Sequence, residues 1–121
     1  RSTPASIGPL TLRNRTIRSA AFESMCPGNA PSRQVKDYHC SVAAGGVGMT
    51  TIAYAAVTQS GLSFDRQLWM RPEIIPGLRE ITDAVHKGHF GQLFWRVGGM
   101  DRVCRTHLFA CCMGVCTVDV C

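Results

Sequence analysis

Cysteine, histidine and carboxylate are the side chains in this sequence that could ligate a metal or carry a proton. Their spacing argues against most such uses. Of seven cysteines, Cys26 and Cys40 stand alone, and Cys104, Cys111, Cys112, Cys116 and Cys121 crowd the last eighteen residues. None forms the paired C-x-x-C spacing of a zinc site, so a Cys-rich metal-binding module is only an alternative reading and no metal ligand is expected. An odd total with no apolar signal segment argues against a disulfide framework and for a reducing, cytoplasmic setting. His39 lies near the apolar face of a predicted helix. His86 lies near a helix C-terminus, where the partial negative charge favours a protonated ring. Neither has a cysteine or carboxylate at ligand spacing, so both are expected to be structural. His107 falls in the Cys-rich tail. Glu23 could point into the mouth of a site, but a lone carboxylate is thin ground for general acid–base chemistry.

The charge pattern narrows the partners. The formal charge is +5, and eleven of the thirteen cations are Arg. Arg13, Arg15 and Arg18 sit close together, a pattern shared with phosphate and nucleic-acid surfaces. No aromatic residues interleave with them and no nucleic-acid motif is present, so a solvated face is expected instead. Hydrophobic content of 45% and charged content of 17% belong to a globular class. No apolar run approaches the ~18 residues that span a bilayer, so no membrane partner is expected. With 121 residues the chain can fold one small domain with a core. It opens on Arg1 rather than Met and reads as a piece of something longer.

The elements that must position any site are organised around Gly45-Gly46-Val47-Gly48, followed by an uncharged run to Val57. Gly45 or Gly46 can close a helix with left-handed backbone. The run after them does not alternate, so it reads as a strand buried on both faces, in a parallel sheet or barrel. Before it, Ser32 can cap a helix over Arg33 to Ala44, with Val35, Tyr38 and Val42 on one face. Leu10 to Leu12 and Thr16 to Ala20 flank Arg13-Asn14-Arg15 and predict a short hairpin leading into a first strand. Thr58 to Arg71 is a long polar loop, of the kind that is often functional. Pro76 suits the first turn of a second helix with Leu78, Ile81 and Val85 inward and Gly88 at its end. Phe90 to Val97 is a third strand. Long loops after strands and short ones after helices fit a (β/α) barrel whose C-terminal face carries the site. An open doubly wound sheet would read similarly. No G-x-G-x-x-G follows the first strand, and the Gly45 cluster precedes a strand, the wrong side for a phosphate cradle.

Four pieces of this sequence together resemble the old yellow enzyme family, the NADH:flavin oxidoreductase group that includes 2,4-dienoyl-CoA reductases. They are Ile7-Gly8-Pro9-Leu10-Thr11-Leu12-Arg13-Asn14-Arg15 with Arg18-Ser19-Ala20-Ala21; Gly45 to Val57 with Gly61; Ile75-Pro76-Gly77-Leu78-Arg79 with Thr82-Asp83-Ala84-Val85-His86; and Gln92-Leu93. The resemblance covers roughly Ser2 to Leu93. It implies an N-terminal fragment of an α/β protein: a partial (β/α)8 TIM barrel of about the first three βα units, preceded by a short hairpin. Residues 1–95 would be barrel and 96–121 an off-pattern Cys-rich tail.

The resemblance also implies FMN at the C-terminal mouth, NAD(P)H as hydride donor and an activated alkene or enone, a small molecule, as acceptor. By position, Ala20, Ala21 and Phe22 would lie at the end of the first strand against the flavin ring; the plainer reading is that Ala20 and Ala21 fill a strand end. Tyr54 stands where the family usually has Gly or Ala beside the flavin, and could instead be a core or rim Tyr whose hydroxyl finds a partner. Gln92 would offer its amide to the flavin pyrimidine edge. The family's substrate-anion pair, proton-donating Tyr and phosphate loops come later in the chain than this sequence reaches, so no catalytic residue is assigned. A non-catalytic truncated remnant of such an enzyme is therefore the alternative to a fragment that works.

Overall fold

A computed structural model describes residues 3–7, 10–89 and 92–97. Of the expected tail, residues 98–121 lie outside the described residues. The chain runs β1 (Ala5–Ile7), β2 (Leu10–Leu12), β3 (Ile17–Arg18), α1 (Arg33–Ala44), β4 (Met49–Ala56), β5 (Leu68–Trp69), α2 (Ile75–His89) and β6 (Gln92–Val97), with single 3-10 turns at Pro27–Asn29, Gln59–Gly61 and Pro72–Ile74. β6 thus continues two residues past the boundary expected at 95.

β4 is the centre, and every residue of it whose burial is described is buried. β3 and β6 both pair with it in parallel, on opposite edges: Met49 lies between Ile17 and Gln92, and Thr50 between Arg18 and Leu93. β5 takes the upper half of the edge that β3 leaves, pairing Ala55 with Leu68 and Ala56 with Trp69. The strands β3, β4 and β6 therefore neighbour one another in chain order. Both helices cover the same face, because Val35 and Ala43 of α1, Ile52 and Ala55 of β4, and Leu78, Ile81 and Val85 of α2 share one buried cluster. Lys36 Nζ and Glu80 Oε1, 2.6 Å apart, join the helices at the surface.

The helix ends follow from local chemistry. Ser32 Oγ accepts the Val35 N–H at 3.1 Å, an N-cap. At the other end Gly45 donates to Ser41 O and Gly46 to Ala43 O, with Gly46 at φ +103° supplying the turn that an L side chain resists. The inward row of α1 is Val35, His39 and Ala43 rather than Val35, Tyr38 and Val42. The expected face is rotated by one residue because His39 is held inside by polar partners. α2 does not stop at Gly88 but runs on to His89.

The hairpin is not where the sequence suggested. β2 pairs back onto β1 in antiparallel register, Ile7 opposite Leu10, and Ile17–Arg18 joins β4 instead. The residues between are committed elsewhere. The Arg13 guanidinium donates to Val47 O, between α1 and β4, at 2.9 Å and to Ala43 O, in the last turn of α1, where a cation suits the helix end. Asn14 Nδ2 donates to Gly46 O at 2.7 Å, and Asn14 Oδ1 accepts the Thr16 N–H at 2.9 Å. Thr16 O in turn accepts from the Gly48 and Met49 N–H groups at 3.0 and 3.2 Å. Arg13 is thus a structural staple and not part of a phosphate surface.

Gly48 is sterically required at this corner. A Cβ there would stand 2.7 Å from both Asn14 O and Asn14 Oδ1. Backbone and a buried, doubly bonded amide cannot both retreat. Gly48→Ala is expected to destabilise the chain by about 1–3 kcal/mol. Gly45→Ala, at φ −66° and with no atom nearer its Cβ than Val42 O at 3.3 Å, is expected to cost less. Urea unfolding followed by circular dichroism measures both; equal costs would contradict the clash.

Candidate cofactor rim

Parallel strands share one direction, so the C-terminal ends of β3, β4 and β6 lie together. The segments leaving that end are 19–26, after β3, and 57–67, after β4. Ala20 follows β3 by two residues and is half-buried; Ala21 is exposed and Phe22 half-buried. Tyr54 lies in the upper half of β4, at an irregularity of the β4–β6 ladder between Ile52 and Ala55. Such an irregularity bends the strand locally. Ala20, Ala21, Phe22 and Tyr54 therefore belong to the same end of two adjacent strands.

Gln92 does not join them. Its ladder partner is Met49, the first residue of β4. Five residues separate that level from Tyr54, roughly 16 Å along a parallel strand. The Gln-Leu dipeptide identified a strand, but its register puts Gln92 at the N-terminal end, away from the rim.

Beneath the rim lies a buried polar network that the sequence did not disclose. The Glu23 carboxylate, 4% exposed, accepts the His39 Nε2–H at 3.0 Å and faces Arg18 Nη1 at 3.4 Å. His39 is fully buried, and its Nδ1 lies 2.8 Å from Thr50 Oγ1. A carboxylate can only accept, so Nε2 carries a proton and the Thr50 hydroxyl satisfies the other ring nitrogen. Arg18 further donates to Thr51 O at 2.9 Å and to the Tyr38 hydroxyl at 3.2 Å, with its guanidinium carbon 5.0 Å from the Tyr38 ring centre. β3, α1, β4 and the segment after β3 are tied together through these groups. Glu23 consequently points inward and not into an open mouth, and His39 has the carboxylate partner that sequence spacing hid. The available signal was the buried row Val35, His39, Ala43 at intervals of four.

The second rim segment is fixed in the same way. Gln67, 1% exposed, uses its Oε1 to accept the N–H groups of Ser63 at 2.8 Å and Phe64 at 3.2 Å. Asn29 Nδ2 donates to Gln67 O at 2.7 Å, and Cys26 N–H to Arg66 O at 3.1 Å. Arg71 Nη1 donates to Asn29 O at 2.9 Å while its guanidinium lies over Trp69. The stretch expected as loop thus contains a strand and is bound to the segment after β3. An open concavity bordered by Thr3, Arg15, Thr16 and Gly45–Val47 lies at the opposite, N-terminal end of β4.

No family model matches the chain. It is 48% identical over 83 residues to the 4,4'-dithiodibutanoate disulfide reductase of Rhodococcus erythropolis, a match covering 69% of this chain and 21% of that protein. It superposes on the old yellow enzyme homologue from Zymomonas mobilis with a TM-score of 0.72 at 20% identity, covering 82% of this chain and 28% of the other. Morphinone reductase gives 0.73 at 20% identity, covering 83% and 26%. The chain thus shares its fold with proteins of the old yellow enzyme family and, over 69% of its length, is similar in sequence to a curated reductase.

It spans about a fifth of the length of that curated relative. The titratable groups near the rim are occupied structurally. Burial, with a smaller push from Glu23, raises the Cys26 thiol to about 12 from an ordinary 9.0. His86 also departs from expectation. Burial lowers its pKa, and Asp83, acting in the opposite direction, offsets only part of that. Among the described residues no group of three His, Cys, Asp or Glu side chains could hold a metal ion. Nor is any described helix long and apolar enough to cross a membrane.

Two outcomes are expected. Glu23→Ala leaves the buried His39 N–H without an acceptor and should destabilise the chain by about 1–3 kcal/mol, whereas Glu23→Gln keeps an accepting oxygen and should cost less. Urea denaturation of the pair decides; equal losses would dismiss the acceptor role. For Cys26, the folded pKa lies above the unfolded one. Its contribution is present in full below pH 9 and is lost as pH rises from 9 toward about 12. Native Cys26 should accordingly resist alkylation at pH 8, read by site-resolved mass spectrometry, and react once the chain is unfolded.

Proposed function

We propose that this chain is the opening part of an FMN-dependent oxidoreductase: a partial (β/α)8 barrel whose C-terminal rim accepts the flavin ring, with the Cys-rich segment following as a separate region. The single observation that supports it best is the winding. β3, β4 and β6 are parallel neighbours in chain order, with α1 and α2 on one face. A doubly wound sheet places helices on both faces, whereas a barrel places all of them outside.

The residues at the rim suit a flat ring. Ala20 and Ala21 carry only methyl groups, so the backbone can be approached closely. Both precede Glu23, whose buried contacts fix the segment. At Tyr54 we assign the contact to backbone, at the ladder irregularity. Ala20, Ala21, Phe22 and Tyr54 are the cofactor-contacting set on this reading, without Gln92. When bound, FMN would take hydride from NAD(P)H and pass it to an activated alkene or enone, a small-molecule substrate. The chain's own part is to hold the ring edge and keep that wall of the mouth rigid. The curated relative is named for reduction of a disulfide, and the same rim would serve that electron acceptor equally well.

The second reading is a non-catalytic remnant. Titrating the purified chain with FMN separates the two. Saturable binding with a perturbed flavin absorption spectrum is expected for the rim reading, and weakening by Ala20→Leu should accompany it. Absence of any binding favours the remnant.

A further inference from the structure

We infer that Phe22 and Phe64 form an aromatic wall of the rim that stacks against a flat conjugated ring, that of the flavin or of the substrate. This rests on the rim reading above and adds a residue from the β4–β5 segment to it. The two rings are stacked, with centroids 4.9 Å apart and planes inclined by 28°. They come from different segments, one after β3 and one after β4, and so bridge the two at the C-terminal end of the sheet. Phe64 remains 50% exposed, the most exposed large hydrophobic side chain among the described residues.

An exposed Phe in a loop ordinarily turns inward or moves freely. Here each ring sits on a rigid carrier. Phe22 directly precedes Glu23, which is pinned by His39 at 3.0 Å and Arg18 at 3.4 Å. The Phe64 N–H is held at 3.2 Å by the buried Gln67 side chain, which also holds the Ser63 N–H. The neighbouring Arg66 takes φ +58°, a conformation side chains resist, and its carbonyl accepts the Cys26 N–H. Holding an exposed aromatic ring still lowers the ordering cost of stacking a ligand on it. Offset stacking on a planar π-system is the geometry such a ring favours. Ala20 and Ala21 beside it leave room for the approach.

The test compares wild-type chain with Phe64→Leu, which keeps apolar bulk and removes the ring. FMN and coumarin, a flat conjugated lactone without phosphate, are the two probes. Affinity is read by fluorescence, and the Phe22 and Phe64 ring protons by NMR. Circular dichroism melting confirms that Phe64→Leu folds as wild type does; Phe64→Tyr is the variant that keeps the ring. Expected is binding of at least one probe, ring-current shifts at both Phe residues, affinity reduced about three- to tenfold in Phe64→Leu, and near-normal affinity in Phe64→Tyr. Loss confined to FMN assigns the wall to the flavin; loss confined to coumarin assigns it to substrate. Binding of FMN unchanged by Phe64→Leu, with coumarin unaffected and no ring shifts, overturns the wall and leaves the rim reading intact. If neither probe binds wild type, both fall. If Phe64→Leu abolishes only self-association, the wall is a contact between chains and the inference is overturned.

Discussion

The corner where Asn14 meets Gly48 sets the register of everything above it. Thr16 O accepts from two consecutive N–H groups, those of Gly48 and Met49, and this aligns Ile17 with Met49 and no other residue. A one-residue slip would turn Thr50 away from His39 and bring a different β4 residue to α1. The Asn14 amide serves both sides of the corner, bonding α1's terminal turn and its own strand entry. A larger residue at Gly48 would force these apart. Arg13 completes the corner by bonding both Ala43 O, in the last turn of α1, and Val47 O, just before β4. The cluster of arginines, suggestive of a phosphate surface from composition, has its first member spent on holding a helix to a strand.

From that register follows the placement of the Arg18, Glu23, His39 and Thr50 side chains. Burying a histidine and a carboxylate costs solvation, and only complete pairing makes it tolerable. Here every ring nitrogen and the carboxylate find partners on different elements, so the network carries positional information. Once Glu23 is fixed, so is the direction in which Ala20 to Phe22 leave β3. Ser24, immediately beyond, takes φ +56°, turning the chain sharply so that Cys26 enters the core at 4% exposure. The rim is therefore a consequence of packing beneath it rather than of contacts along it.

Much of this was legible because it is local. The bounds of α1 follow from Ser32 and the glycine pair, the central strand from an uncharged run, and the inner face of α2 from Leu78, Ile81 and Val85. What escaped depends on contacts distant in sequence. β1 is short and largely exposed, so no apolar alternation announced that Leu10–Leu12 would pair with it. β5 is two residues in a polar stretch, made a strand by the vacant upper edge of β4. His39 and Glu23 are sixteen residues apart, invisible to any spacing rule. Gln92 was found as part of a strand, but a dipeptide fixes identity without fixing register, and the register decides which end of the sheet a side chain serves.

The contrast between 20% identity and a TM-score of 0.72 with the Zymomonas mobilis protein is explicable in these terms. Sheet interiors ask for apolar residues of suitable shape, and many sets satisfy that demand. On the proposed reading, contact with a flat ring through backbone and methyl groups would likewise constrain shape more than identity. On the proposed reading, Tyr54 would offer its backbone to that ring at the strand irregularity between Ile52 and Ala55. Identity is demanded only where atoms are crowded or bonded on several sides, as at Gly48, Asn14 and Glu23. Those positions, rather than the ones lining the mouth, are where substitution is least tolerable, and they carry the geometry on which any chemistry at the mouth depends.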